Sequence, residues 1–285
     1  MSFEITTAFV KQYGANVELL CQQMGSRLRE AVRVESQQGQ QKFFEQIGAT
    51  AAVKRATRFG DTPIVSTPHS RRMVTLSYYD WADFIDTFDA IQMLIDPKSP
   101  YAQNAAAAMG RAQDEEIIAA INGTSYTGVD GTTAVALPSA QKIAHGSAGL
   151  TVAKLRTARK TLLAGNVDKS EQFFCAVTAE QLDDLLGTTE VTSSDYNSVK
   201  ALVSGDVDTF LGFKFLHTQL LADDGTSRLV PCWAKSGVLL SVGHEITSSI
   251  DRLPTKNMAT QVYFGMSIGA TRMEEAKVVQ IACNE

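Results

Sequence analysis

Apolar and polar positions along this chain repeat with a helical period, alternate, or show no period at all. The most regular helical stretch runs from Ser99 to Gly123, SPYAQNAAAAMGRAQDEEIIAAING. Tyr101, Ala105, Ala108, Met109 and Ala112 form one stripe of mostly small side chains that lets another element approach closely. Ser99 reads as the N-cap, Pro100 sits at the first helical position, and Asn122-Gly123 supplies the stop. Asp114, Glu115 and Glu116 crowd the C-terminal half, where the helix dipole disfavours anions. They form either a solvated acidic face or a surface that meets basic partners.

A second helical pattern covers residues 15–36, with Val17, Leu20, Met24, Leu28, Ala31 and Val32 in register. A third, TVAKLRTARKTLL, is capped by Thr151, with Val152, Leu155, Ala158 and Leu162 on one side and basic residues on the other. TAEQLDDLLG is a short helix with Thr178 as N-cap. Alternation marks RRMVTLSYY as a strand, with Met73 and Thr75 on one face and Val74 and Leu76 on the other. FFCAV, FLGFKFLHTQLL, RLVPCWA and GVLLSVG read as further strands, and the C-terminal stretch reads as two strands about a turn near Gly269. Asp130-Gly131 and DDGTS are turns. Residues 43–70, with Pro63 and Pro68, look extended and irregular. The mixture is α+β, without regular β-α alternation or a repeat.

Composition narrows the class. At 285 residues the chain can bury a sizeable core, and 44% hydrophobic with 20% charged residues is ordinary for a soluble globular protein. No apolar run reaches membrane-span length, and the N-terminus lacks the charged and apolar regions of a secretory signal. Cys21, Cys175, Cys232 and Cys283 are scattered, which fits reduced thiols in a cytoplasm better than a disulfide framework or zinc site. Residues 1–60 carry eight Lys/Arg against five Asp/Glu, or +3, and the rest eighteen against twenty-six, or −8. A basic arm docking on an acidic surface and chance both fit that asymmetry.

Catalytic patterns fail. There is no GxxxxGK[ST], GxGxxG or HExxH, and His69, His145, His217 and His244 lie far apart in sequence. Asp80, Asp83, Asp86 and Asp89 recur every three residues. The metal reading yields to an acidic solvated or intersubunit edge, because no turn glycine or closing glutamate makes a calcium loop. Gly265-Met266-Ser267-Ile268-Gly269 matches the GxSxG of a serine hydrolase elbow, but no histidine follows Ser267. The expectation is therefore no catalytic, cofactor-binding or metal residue and no cofactor.

The order of segments resembles the major capsid proteins of tailed bacteriophages, with their HK97-like fold. The resemblance is carried by DWADFIDTFDAIQMLIDPKSPYAQNAAAAMGRAQDEEIIAAING, by LTVAKLRTARKTLLAGNVD followed by FFCAVTAEQLDDLL, by GDVDTFLGFKFLHT and by IGATRMEEAKVVQIAC. It implies an N-terminal arm over 1–60 and an E-loop over 61–98. It further implies a peripheral domain beginning at 99–150 with a spine helix over 99–122, an axial domain over 151–262, and a C-terminal strand, 263–285, returning to the peripheral domain. A structural, non-enzymatic protein follows, one that assembles through hexamers and pentamers into an icosahedral head around DNA held without sequence-specific binding. It would form in the host cytoplasm and reside in the virion. Portal and decoration proteins are further implied partners, and no membrane is. Some members carry a helical scaffolding extension. Too few residues precede the presumed E-loop for one here, and Met1 favours a separate scaffolding protein. The rival readings are an encapsulin-like cytosolic shell and a hydrolase using Ser267.

Extended arms cannot bury their own apolar residues, so Phe43, Phe44, Ile47, Trp81, Phe84 and Ile85 are expected to need a neighbour's surface. Trp81, Phe84 and Ile85 are the expected intersubunit contacts, with Arg27, Arg29 and Arg33 of the arm meeting acidic surface.

Overall fold

The computed structural model describes residues 21–55, 57–58, 60–85, 98–187 and 209–285. In chain order the strands and helices are β1 (Arg33–Ser36), β2 (Gln41–Ile47), β3 (His69–Thr75), β4 (Ser77–Ile85), α1 (Lys98–Asn122), β5 (Ser125–Thr127), β6 (Thr133–Val135), β7 (Lys142–Ile143), α2 (Val152–Ala164), β8 (Phe173–Val177), α3 (Ala179–Gly187), β9 (Thr209–Phe210), β10 (Phe213–His217), β11 (Ser227–Ala234), β12 (Val238–Leu253), β13 (Ala259–Arg272) and β14 (Val278–Asn284). The strands form three sheets with orders β1-β12-β13-β4, β7-β14-β11-β8-β10-β9 and β2-β3-β5-β6. The chain divides into two compact units: Met1–Ser26, Tyr78–Ala112 and His244–Ser267 in one, Arg27–Ser77, Gln113–Gly243 and Ile268–Glu285 in the other.

The larger unit is built on the six-stranded sheet. β8 reads FFCAV and is buried at every residue, as expected of a central strand between β10 and β11. Phe174 stacks on Trp233 at 6.0 Å, and the Trp233 indole N–H donates to Ala31 O at 2.9 Å, which satisfies the polar edge of a fully buried ring. α2 buries Val152, Leu155, Ala158 and Leu162, the predicted stripe, and Thr151 caps it by accepting the Lys154 N–H. Before α3, Gln181 Oε1 accepts from both Thr178 N–H and Thr178 Oγ1–H, a capping box.

Several expectations need correction. In the described part of residues 15–36 only Arg29–Ala31 forms a single 3-10 turn, followed by β1; Val17 and Leu20 lie outside the described residues. The burial of Leu28, Ala31 and Val32 is real, but pairing with β12 wins over a longer helix. β13 runs unbroken through Gly269, and its connection to β14 lies at 273–277. Gly269 is there for close approach: a Cβ would overlap the carbonyl oxygen of Thr75.

The expected domain borders also shift. β14 pairs on one edge with β11, from Ser227↔Asn284 to Trp233↔Val278, in the segment expected to be axial, and on the other with β7 at Gln280↔Lys142 and Ile281↔Ile143, in the segment expected to be peripheral, so it joins both. Residues 244–253 and 259–262, expected within the axial segment, belong to the smaller unit. The hairpin near the start of the chain is β2/β3, registered from Gln41↔Thr75 to Ile47↔His69. It therefore begins inside the expected arm (1–60) and ends before most of the expected E-loop (61–98).

Within the smaller unit, Gly110 of α1 permits a close backbone approach. A Cβ there would overlap the backbone of Gly25, a bend with φ of 72°. Asp114, fully buried, accepts from the backbone N–H groups of Arg27 at 2.9 Å and Leu28 at 3.0 Å. One of the three disfavoured acids of α1 thus holds the chain entering the 3-10 turn, within the larger unit.

Candidate intersubunit surface

The hairpin β2/β3 has two unlike ends. At its base Phe44 and Val74 pack with Leu239 and Met273 in one buried cluster. Gln46 Nε2 donates to Met273 O at 2.7 Å, and Arg72 Nε donates to the same carbonyl at 3.0 Å. Nη2 of the buried Arg72 also donates to both oxygens of Glu275, at 2.7 and 2.6 Å, a charge-assisted pair.

Arg272 stands behind this pair. It is fully buried, and its guanidinium donates to Ile121 O and Gly123 O at 2.9 Å and to Val135 O at 3.0 Å. Burial holds its pKa below the ordinary arginine value, and Glu275, 3.7 Å away, opposes that shift. A cation on the last carbonyls of α1 complements the helix dipole. One side chain of β13 thereby ties the end of α1, the β6 strand and, through Glu275, the base of the hairpin.

The far end of the hairpin is the reverse. The described residues from Gly48 to Pro68 are all exposed. Ile64 is 97% exposed, and Ile47 and Val53 are also open to solvent. Lys54, Arg55 and Arg58 against Asp61 make this connector basic. Between the two ends, Arg71 lies over the Phe43 ring at 5.6 Å and Lys42 over the Phe44 ring at 4.6 Å, so cations shield the hairpin's aromatic faces.

The residues singled out from sequence distribute as follows. Trp81 makes an edge-on contact with Phe264 at 6.4 Å, and Phe84 is half exposed. Ile85 is buried by its own chain, as is Phe44, so neither needs a neighbour to cover it. Arg27 donates to the backbone carbonyl of His217 at 2.6 Å and meets its ring nitrogen at 3.0 Å. Burial, with Arg27 alongside, pushes the His217 pKa below its ordinary value. Arg29 is half-buried, and Arg33 pairs with Glu35 on its own strand. Trp81, Phe84 and Ile85 lie in one compact unit, the three arginines in the other. The connector at 48–68 lies within the stretch expected to be extended and irregular, but its exposed apolar residues Val53, Ile64 and Val65 were not among those singled out. Their signal was their place among prolines and threonines.

The chemical decoys resolve into structure. Ser267 lies inside β13, its hydroxyl buried and without a hydrogen-bond partner, and β13 continues past it with no strand-to-helix turn. Among the described residues no group of His, Cys, Asp and Glu is gathered to hold a metal; Asp86 and Asp89 lie outside them. Asp80 accepts the Tyr263 hydroxyl at 2.5 Å, and this raises the tyrosine pKa. No described helix is long and apolar enough to cross a membrane. Cys175 and Cys232 face each other across β8 and β11 with sulfurs 3.4 Å apart, as free thiols. Burial raises the Cys175 pKa and pushes Cys283 up to about 12.

Comparison with known proteins gives this architecture its class. A family model described as phage capsid protein matches residues 5–285. Among solved structures, the chain superposes on the capsid of cyanophage P-SCSP1u with a TM-score of 0.76 at 15% identity, covering 99% of this chain and 94% of that one. Mycobacterium phage Che8 gives 0.71 at 16% identity, covering 96% and 97%. The capsid of a native GTA particle gives 0.69 at 13% identity, covering 98% and 96%. No curated protein matches by sequence. The chain belongs to the phage capsid protein family: it is a structural major capsid protein with the HK97-like α+β fold. By its family, its place is the phage capsid.

Proposed function

We propose that this protein builds an icosahedral head through hexamers and pentamers, and that the hairpin β2/β3 is its E-loop, laid over an adjacent subunit. The observation that carries this reading is the contrast within the hairpin: a base locked into its own chain, and a connector whose apolar residues are open. A connector with Ile64 fully open cannot stabilise its own chain by burial, whereas covering it on a neighbour gains roughly 25 cal/mol per Å². Its cations suit the acidic remainder of another copy. In this reading Trp81, Phe84 and the arm arginines take part in secondary contacts. The protein has no catalytic task or cofactor; it assembles in the host cytoplasm with a separate scaffolding protein and a portal, accepts decoration proteins, and encloses DNA without reading its sequence.

The test replaces residues 49–67 with a short turn. The variant is expected to fold, with unchanged circular dichroism and melting, yet to sediment as monomers or single capsomers. Closed particles from this variant would remove the hairpin from the assembly contact. Deleting 78–85 is no substitute, since those residues form β4 within the chain's own sheet.

A further inference from the structure

A groove of about 890 Å³ lies beside β1, in the larger unit. Its cations are Arg29, Arg33, Lys214 and Lys235, and its carboxylates are Glu30 and Glu171. Arg33 is taken by Glu35, and Glu171 by the Ser236 N–H at 2.7 Å. Among the described residues, no salt bridge engages Lys214 or Lys235. The buried residues Val32 and Phe174 also line the groove, adding apolar surface to a basic rim.

β1 is the terminal strand of its sheet, paired in parallel with β12 from Arg33↔Leu239 to Ser36↔Val242. Gln37 N–H donates to Val242 O at 2.8 Å. In a parallel ladder alternate residues bond the partner, so Arg33, Glu35 and Gln37 face β12 while Val34 and Ser36 face outward. The Ser36 carbonyl confirms that direction, because it accepts from Lys42 Nζ at 2.8 Å. Among the described residues nothing bonds the N–H and C=O of Val34, which face the groove, and the residue is 41% exposed. An open strand edge is a template for another strand.

We propose that this groove receives an extended peptide strand from a different protein, with side chains alternating acidic and apolar, added to the free edge of β1 at Val34. Main-chain bonds to Val34 supply the pairing, Lys214 and Lys235 meet the acidic side chains, and the apolar ones settle toward Val32 and Phe174. The apolar lining disfavours a phosphate backbone. Among the described strands β4 alternates acidic and apolar residues, and its exposed Asp80 is engaged by Tyr263, which disfavours β4 of a second copy as the occupant.

The test uses the full-length, unassembled chain and a short fluorescein-labelled peptide alternating glutamate with valine, followed by fluorescence anisotropy at low salt. The peptide should bind. Affinity should fall about tenfold in Lys214→Glu combined with Lys235→Glu, as expected from reversing two rim charges. It should fall by a similar factor in Val34→Pro, which deletes an outward N–H at an edge position that tolerates proline. Lys214→Gln with Lys235→Gln gives a smaller fall and serves if the reversed pair misfolds. A lysine-valine peptide should not bind. Equal binding of both peptides, or full binding to the Val34→Pro variant, overturns the proposal. So does duplex DNA that binds where the acidic peptide does not and is lost with the same lysines. Self-association lost in the double variant, with no peptide binding, makes the occupant a second copy and likewise overturns it.

Discussion

The base and the connector of the β2/β3 hairpin differ in what specifies them. At the base, Phe44 and Val74 are buried by residues from β12 and from the end of β13, and Arg72 is held by Glu275. At the connector, Ile64 and Val53 touch nothing that shields them from water. The same strand pair thus passes from a region whose shape its own chain dictates to one whose apolar residues its own chain leaves exposed. Substitutions at the base should therefore register as stability, and substitutions at the connector as assembly.

The largest effect should come from Arg272→Met. It leaves the Ile121, Gly123 and Val135 carbonyls without a buried donor, and a loss of about 3 kcal/mol or more is expected in urea unfolding of the unassembled chain. A loss below about 1 kcal/mol would mean that the base is rooted elsewhere. Phe44→Ala should cost about 3 kcal/mol by opening a cavity against Leu239 and Met273. Ile64→Ala should stay within about 0.5 kcal/mol while reducing the yield of sedimenting particles. If both variants lost equal stability, the contrast between the two ends would be wrong. Arg71→Ala, in between, removes the contact over Phe43 and an exposed bridge to Glu45, for about 0.5–1 kcal/mol.

The smallest effect is a control outside the hairpin. Glu285 accepts from Arg228 at 2.7 Å and from Gln181 at 2.6 Å, and these bonds hold its carboxyl below the ordinary glutamate range. A depressed folded pKa contributes stability above the unfolded value and loses it as pH falls through the folded one. Wild type should therefore melt above Glu285→Gln at neutral pH, and the gap should close in acid; a gap that widens in acid would reverse the assignment.

Much of the fold was legible where local chemistry is self-sufficient. The caps at Thr151 and Thr178, the stripe on α2 and the length of α1 depend on neighbours in sequence, and all appear as read. β1 and β2 were not legible, because their strand conformation depends on β12 and β3, far along the chain. Gly269 read as a turn because glycine marks both turns and close approaches, and only the presence of Thr75 distinguishes them. Phe44 read as uncovered for the same reason: Leu239 and Met273, which cover it, come from far along the chain. The connector was legible as an extended stretch from Pro63 and Pro68, but not as the tip of a hairpin, because β2 and β3 on either side were not recognised as a pair.

On the proposed assembly, the exposed connector would also make this protein its own assembly clock. Lys54, Arg55 and Arg58 sit within a stretch that no secondary structure protects, so trypsin should nick free subunits there first, leaving two fragments held together by the base of the hairpin. Once the connector is covered by a neighbour those bonds become inaccessible. The fraction of chain surviving a brief digestion then counts incorporated subunits directly, without a label, at any moment during growth.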